Sequence, residues 1–489
     1  MEEGKVGFMS QTESNREHIR QVIITVMKLL HYTVTCGIFY VFWILFRYGS
    51  FSEASEIGFR YNYFVLLGYG AILFFFNRTY NSYLLGYNRI RTVAFSEFLA
   101  QLLTLFITYA GVSVAWNRLY NPLWFIPMLF CQAILDILWS YYGNLIYFKL
   151  YPTKKTILIY RNELDKQRFG SIKGKPTERL YRIEEEFEYK GNSFREIRDR
   201  LEGYEAVFVA GVNARCRNGI AKYCKEMNIT GFFLPHVGDV IMQEATHIQS
   251  FDSPVMYLTR THLRPEYLFI KRAFDIVSSL LAIIILSPIM LITALAIKLY
   301  DGGPALYNQV RLTKDGKTFK IWKFRSMRVD AEKDGIARLS TGDNDDRITP
   351  IGKIVRKCRL DELPQLFNIL FGQMSIVGPR PERPEIAEQY YEHIPDFKLR
   401  LQVKAGLTGY AQVYGKYNID PYEKLQFDLL YINNMNVLTD LRLIFATIGI
   451  LFLPESTEGV AVGATTAMDY ENAADSTEND AERLVNRTD

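Results

Sequence analysis

Four long apolar segments, roughly Val22 to Phe46, Tyr61 to Phe76, Val93 to Trp116 and Leu123 to Phe148, restrict the fold of this chain more than any other feature. A lipid core offers no water to backbone groups, so a segment that crosses it must be helical or part of a closed barrel. Each segment is near the ~20 residues that cross a ~30 Å hydrocarbon core, the second being short and in need of its flanks. The expectation is a membrane α-helical bundle of four spans over residues 21–150, preceded by a cytoplasmic N-terminus at 1–20. Lys5, Arg16 and Arg20 precede the first span, Arg78, Arg89 and Arg91 separate the second from the third, and Lys149, Lys154 and Lys155 follow the fourth. The other loops carry only Arg47 and Arg60, then Arg118, so the positive-inside rule makes both ends of the bundle cytoplasmic. Asp136 is an intramembrane carboxylate, either a functional group or the partner of a polar group on a neighbouring helix. The polar first twenty residues carry no small-residue cleavage signature, and no cleaved signal peptide is expected.

At 489 residues, two or three units are expected. A hydrophobic share of 49% with 14% aromatics, against 22% charged, fits a membrane portion. The net charge of +4, without a basic tract, argues against a nucleic-acid partner. The five cysteines show neither zinc spacing nor a disulfide framework, as suits a reducing compartment. From 151 to 265 the pattern becomes that of a soluble α/β domain. Thr156 to Tyr160, Ala206 to Val212 and Ile229 to Leu234 read as strands, and Ala214 to Met227 as a helix, giving a small parallel, Rossmann-like sheet. Arg161-Asn162-Glu163 stands where a glycine fingerprint would follow the first strand, so no bound dinucleotide is expected.

Beyond Lys271-Arg272 a further apolar run reaches Leu299. Its length suits a fifth span, yet Ser287-Pro288 interrupts it, and Lys298 faces Lys271 and Arg272 from the opposite end. A helix-break-helix hairpin, entering and leaving by one leaflet with its break at Ser287 and Pro288, is the expected form. After Pro454 the chain is polar and largely acidic, and a disordered tail is expected over 454–489.

The chemistry concentrates between Arg359 and Glu385. Asp361 and Glu362 precede the apolar pattern Leu363, Leu366, Phe367, Ile369, Leu370, with Pro364 where a first turn tolerates it. Asp361 is expected at or near a helix N-cap, Glu362 in the first turn, and the end at Gly372. Gly378-Pro379-Arg380-Pro381-Glu382-Arg383-Pro384 reads as a stiff turn holding two guanidiniums ready to grip phosphate oxygens. A nucleophilic carboxylate beside an arginine clamp suits phosphoryl transfer. Taken alone, the acidic pair reads first as capping and the arginines as solvated loop.

Three further motifs weigh against that plainer reading. They are Phe319-Lys320-Ile321-Trp322-Lys323-Phe324-Arg325-Ser326-Met327, Asp345-Asp346-Arg347-Ile348-Thr349-Pro350-Ile351-Gly352 and Gly406-Leu407-Thr408-Gly409-Tyr410-Ala411-Gln412-Val413. In this order they resemble the bacterial sugar transferases, the monotopic phosphoglycosyl transferases, over about Lys271 to Ile448. The resemblance implies a monotopic α/β catalytic domain at 266–453 with the re-entrant membrane hairpin. It implies transfer of a hexose-1-phosphate from a UDP-sugar to undecaprenyl or another polyprenyl phosphate, releasing UMP, through a phosphosugar carried on Asp361. Such a reaction would begin an exopolysaccharide, capsule or O-antigen-type glycan. A fifth crossing would carry the carboxylates away from cytosolic nucleotide sugars, which also favours the hairpin. Mg2+ is the implied cofactor, with Asp361 and Glu362 as ligands, since it bridges phosphates using one or two carboxylates. Lys323 and Arg325, on one strand face, with Arg380, Arg383 and Asp428, are the implied substrate-binding residues; Asp440 also matches. Asp343, Asp345 and Asp346 look like a metal motif but read equally as a turn. Longer members of the family carry an insert like 151–265, which suggests a regulatory or dimerising role there. Implied partners are membrane lipid, a second copy of the chain and polysaccharide-assembly proteins, and the implied location is the cytoplasmic face of a bacterial inner membrane. Glucose or galactose is favoured over an N-acetylated sugar. Ala405 replaces the proline common before the glycine of the Gly-Leu-Thr-Gly motif.

A non-catalytic membrane scaffold of an assembly complex is the alternative, but it has no need of the acidic pair and both arginines. A sugar-nucleotide dehydratase or epimerase fused to an anchor would require the missing glycine fingerprint.

Overall fold

The computed structural model describes residues 11–50, 60–170, 176–248, 255–258, 265–329, 331, 345, 347–415 and 419–451. The acidic tail at 454–489, Asp343 and Asp346 lie outside them. The chain divides into two compact units, Met1–Leu234 and Pro235–Asp489.

In the first unit α1 (Gln11–Ser50), α2 (Arg60–Thr79), α3 (Ile90–Ala115) and α4 (Ile126–Leu150) pack as a bundle. Its polarity is inverted relative to a water-soluble protein. Leu29, Leu30, Phe64, Leu67, Phe106, Phe130 and Ile137 point outward, while Asn62, Glu97, Gln101, Gln132, Asp136 and Asn144 are buried. An apolar exterior around a polar interior is what a hydrocarbon solvent selects. Among the described residues four helices are long and apolar enough to cross a membrane: Asn15–Phe46, Ile90–Ala115, Pro122–Leu150 and Pro265–Asp301. The 20-residue α2, expected as the second span, is not among them. It packs against α1 and α3, and its buried Asn62 accepts a hydrogen bond from Trp43 Nε1 at 3.1 Å.

The α/β part follows as β1 (Lys154–Tyr160), α5 (Glu163–Gly170), β2 (Tyr181–Glu188), α6 (Phe194–Leu201), β3 (Ala206–Val209), α7 (Ala214–Glu226) and β4 (Thr230–Phe233). The four strands form a parallel sheet in the order β2-β1-β3-β4. Central β1 and β3 read as continuous apolar runs because both of their faces are covered. Ile157, Ile159, Val207 and Val209 meet Ile197 and Ile220, and Leu158 and Phe208 meet Tyr181 on the other side. Strand β2 was not legible: its glutamates give the polar character of a loop, but half-buried and exposed positions alternate along it at a sheet edge, where charge blocks further pairing.

The second unit contains α8 (Val237–Met242), β5 (Thr246–Ile248), β6 (Val255–Tyr257), α9 (Pro265–Asp301), β7 (Leu306–Leu312), β8 (Thr318–Phe324), α10 (Pro350–Lys357), α11 (Gln365–Leu370), β9 (Ser375–Val377), α12 (Pro384–His393), β10 (Gly406–Thr408), α13 (Tyr410–Tyr414), α14 (Pro421–Asn433) and α15 (Val437–Leu451). The expected interruption of α9 does not appear: one helix runs through Ser287 and Pro288. The residues explain how. Pro288 has no N–H to give to Ile284 O, and Ser287 Oγ donates to that carbonyl instead, at 2.8 Å. The helix is tied to its unit along its whole length. Lys271 pairs with Asp440 at 2.7 Å, and Arg272 donates to Ile369 O and Leu370 O, each at 2.8 Å. Ala282, Ile283 and Leu286 pack on Phe319, Ile321 and Ile369, Ile297 packs on Phe324 and Val355, and Asp301 pairs with Arg325. The opposite side of α9 exposes Phe269, Leu281, Ile285, Leu291, Ile292 and Leu299. Helix α15 inserts Leu443 and Ala446 into the core, with Thr447 Oγ1 2.6 Å from Thr408 Oγ1.

Parallel β9 and β10 come together through glycines. A Cβ at position 406 would lie 2.1 Å from Gly378 N, and one at 409 would lie 2.4 Å from Gly378 O. The Gly-Leu-Thr-Gly motif thus presses backbone on backbone beside the Arg380 loop. Gly406→Ala should lower the thermal midpoint of the purified protein sharply, by a loss of about 2 kcal/mol or more. Gly111→Ala, where a Cβ meets nothing within 4 Å, should leave it nearly unchanged in the same melt.

Candidate functional site

The acidic pair is held on a tight turn and not on the helix expected there. Leu360–Glu362 form a short 3-10 turn entered through Arg359 in the left-handed region at φ 55, and α11 starts only at Gln365. Asp361 is therefore no N-cap. The turn is fixed against the β7–β8 hairpin by Asn368 of α11, which accepts from Trp322 N at 2.9 Å and donates to Lys320 O at 2.8 Å. That clamp sets Glu362 beside Lys323 of β8, with Nζ 3.9 Å from Oε1.

Arg380 closes the other side, donating to Glu362 Oε1 at 2.8 Å. Its backbone is held in turn: Arg400 Nη2 donates to Arg380 O at 2.7 Å, and Arg400 is gripped by Asp428 at 2.7 Å. Glu382, in the same loop, pairs with Lys424 and stands 3.7 Å from Arg400. Arg311 of β7 donates to Pro381 O at 3.1 Å, which places a further guanidinium beside Arg380 and Arg383.

Electrostatics divide the two carboxylates. Burial pushes both upward, but Arg380, Lys323 and Arg359 outweigh it at Glu362 and hold that group well below the usual range. At Asp361 burial and the neighbouring Glu362 charge outweigh Lys323, Arg356 and Arg380, and the group is raised. Asp361 makes no hydrogen bond or ion pair among the described residues, leaving its oxygens open to an incoming group. Burial likewise pushes Glu382 up, but Lys424 and Arg400 bring it down to about 2. Cations outnumber carboxylates here, which makes the pocket a receptor for anions. Asp361 and the outer oxygen of Glu362 are hard oxygen donors of the kind a phosphate-bridging Mg2+ takes, so the residues present fit that ion.

Of the sequence-derived site residues, Lys323, Asp361, Glu362 and Arg380 are brought together. Arg383 lies at the start of α12, 3.8 Å from Glu385 and within electrostatic reach of Arg311. Arg325 is a correction: β8 ends at Phe324, and the Arg325 guanidinium turns away to Asp301 at 2.7 Å and Pro304 O at 2.7 Å. Asp428 is buried behind the site as the partner of Arg400 and supports Arg380 from there. Asp440 binds Lys271, Tyr267 and Tyr431 and so anchors α9. Asp345 pairs with its own turn through Arg347 at 2.7 Å, as a turn residue would. Arg311, Asn368, Glu382, Arg400 and Lys424 were not singled out. Lys424 and Asp428 are one helical turn apart, which is the sequence signal that would have linked them.

Comparison with known proteins places this geometry. Residues 266–454 match the bacterial sugar transferase family. An exopolysaccharide production protein of Rhizobium leguminosarum bv. phaseoli is 42% identical over 190 residues, 37% of this chain and 94% of that protein. The chain belongs to the bacterial sugar transferase family. The transferase is also 44% identical over 200 residues, 40% of its length, to a UDP-glucose:undecaprenyl-phosphate glucose-1-phosphate transferase of Klebsiella pneumoniae. It is 42% identical over 187 residues, 38% of its length, to a UDP-N-acetylgalactosamine-undecaprenyl-phosphate N-acetylgalactosaminephosphotransferase of Aeromonas hydrophila. The matches span 43% and 44% of those two relatives. All of the site residues lie inside the matched region.

Burial lowers Lys323 to about 8, with Glu362 pulling it up and Arg380 pushing it down. The side chain is a cation below that pH and neutral above it. Affinity of the sugar transferase for a diphosphate ligand should therefore fall about tenfold between pH 7.5 and 9.5, the scale of one charge-assisted hydrogen bond. Binding isotherms across that range should show the loss, and Lys323→Arg should flatten it.

Proposed function

We propose that this protein transfers a sugar-1-phosphate from a UDP-sugar to a polyprenyl phosphate, the step that commits a sugar to a lipid-linked glycan. The observation that carries the reading is the unengaged, electrostatically raised Asp361 beside the clamped Glu362 and the Lys323–Arg380–Arg311 cations. An Asp361 oxygen attacks the β-phosphorus, the bond from that phosphorus to the bridging oxygen breaks, and UMP leaves with that oxygen. An oxygen of polyprenyl phosphate then attacks the same phosphorus, the bond to Asp361 breaks, and the aspartate is regenerated with a polyprenyl diphosphate sugar as product. Arg380, Arg311 and Lys323 neutralise charge on the phosphates, and Glu362 holds Arg380 and Lys323 in place. Bound Mg2+, held by Asp361 and Glu362, would supply further neutralisation of the diphosphate.

The membrane arrangement follows the same reasoning. Residues on both sides of Pro288 pack on the same unit, so α9 is not surrounded by lipid as a simple span; its apolar outer side is taken to lie in one leaflet. The four N-terminal helices, α2 among them, are taken as spans, with the catalytic unit on the cytoplasmic face of a bacterial inner membrane, where nucleotide sugars are made. The parallel sheet of the first unit is taken as Rossmann-like. The Klebsiella and Aeromonas relatives differ in sugar at nearly equal identity, so likeness does not choose between a hexose and its N-acetylated form.

The test is UMP release from a panel of UDP-sugars by the full chain in lipid nanodiscs, with and without Mg2+ and polyprenyl phosphate. One sugar should give metal-dependent UMP. Asp361→Asn should lower the rate by about 1000-fold or more, and Glu362→Gln by about 100-fold. Undiminished turnover in folded Asp361→Asn would remove the nucleophile assignment, and no UMP from any sugar would return the scaffold alternative.

A further inference from the structure

Three polar side chains meet inside the helical bundle, and the proposed reaction uses none of them. His31 of α1, Glu97 of α3 and Asp136 of α4 are almost wholly buried, and one ligand atom from each lies within 4.8 Å of the others. His31 Nε2 stands 3.3 Å from Asp136 Oδ1 and 3.7 Å from Glu97 Oε2. Ligand atoms at ~2.0–2.1 Å around a tetrahedral ion are about 3.3 Å apart, so these are already close to coordinating distance.

The hydrogen bonds leave the cluster short of donors. Asp136 Oδ1 accepts from Gln101 Nε2 at 2.8 Å, but Asp136 Oδ2 and both oxygens of Glu97 have no hydrogen-bond partner. The Trp139 ring stacks on His31 at 4.8 Å, and its indole N–H is close to Glu97 without bonding to it. Even with its proton on Nε2 the imidazole can serve only one carboxylate. Among the described residues no lysine or arginine pairs with either acid. Two carboxylates in a hydrocarbon-embedded interior need cationic charge. On the far side His31 Nδ1 meets Tyr83 OH at 3.4 Å, the outer contact that orients a ligating imidazole and leaves Nε2 for the ion.

We propose that His31, Glu97 and Asp136 bind one divalent transition-metal ion, of the Zn2+ or Mn2+ kind, inside the bundle. One imidazole with two carboxylates suits these ions, while Mg2+ and Ca2+ prefer oxygen alone. The ion cancels the charge of the two acids and joins α1, α3 and α4 at one point.

The test uses the untagged full chain in nanodiscs, dialysed against trace Zn2+ with Mg2+ in large excess to occupy Asp361 and Glu362, with bound zinc measured by mass spectrometry. The native chain and Asp361→Asn, altered only in the catalytic pocket, should each hold about one ion, and His31→Ala and Glu97→Gln less than about a tenth of that. Titration of the native chain with Co2+ should give a visible absorption band that saturates at one equivalent and is displaced by Zn2+, a readout that needs no variant to fold. Equal metal in all variants, or a native chain with no bound metal and no Co2+ band, would overturn the proposal and leave a proton-sharing cluster in its place. Neither result depends on whether UMP is released.

Discussion

The buried pair of Arg400 with Asp428 sets the geometry on which the pocket around Glu362 and Arg380 depends. Both side chains are at most 2% exposed, so each charge is tolerable only because the other is there. Removing one partner of such a pair costs about 3–5 kcal/mol, since it strands the remaining charge. Here the pair also does positional work, because the same guanidinium donates to Arg380 O and approaches Glu382. The loop from Gly378 to Pro384 is thus pinned to α14 at two points, and the Arg380 side chain is delivered to Glu362 from a backbone that has little freedom left. A charge that never meets substrate fixes the distance between two that would.

The anchoring of α9 works by the same logic at larger scale. A 37-residue apolar helix is by composition a transmembrane span. What distinguishes it is polar attachment: Lys271 to Asp440, Arg272 to the carbonyls at the end of α11, Asp275 to Ile376 N at 3.0 Å, and Asp301 to Arg325. These contacts fall on one side of the helix, and the exposed apolar residues on the other. Arg325 belongs to this set, which is why its place in a strand-like motif misled: alternation predicts the face of a residue only while the strand continues, and β8 stops one residue earlier.

Much of the chain was legible because its signals are local. The positions of the bundle helices follow from runs of apolar residues, the β1 and β3 strands from short Val/Ile/Leu segments, and the Asp361–Glu362 and Arg380 motifs from their neighbours in sequence. What was missed depends on partners far apart along the chain. Arg311, Arg400 and Lys424 look like solvated charges until tertiary packing brings Pro381, Asp428 and Glu382 against them. The N-cap expectation for Asp361 failed for a related reason: Arg359 in the left-handed region turns the chain before the helix can begin, and no residue pattern announces a non-glycine there. The Ser287-Pro288 break failed because a serine hydroxyl supplied the hydrogen bond that proline lacks.

The two polar interiors of this protein pose one electrostatic problem with opposite signs. In the pocket around Asp361 and Glu362 guanidinium and ammonium groups exceed carboxylates, burial and the neighbouring Arg380 and Arg383 push Arg311 down to about 10, and the deficit is one of negative charge. An anionic ligand would answer it, and most strongly where water is excluded. In the bundle the excess lies with Glu97 and Asp136, the surroundings are amides, hydroxyls and aromatic rings, and the deficit is positive. A pocket completed by an anionic ligand and a cluster completed by a cation are both incomplete in the polypeptide alone. In each case the ligand class follows from which charge the fold has buried without an equal partner.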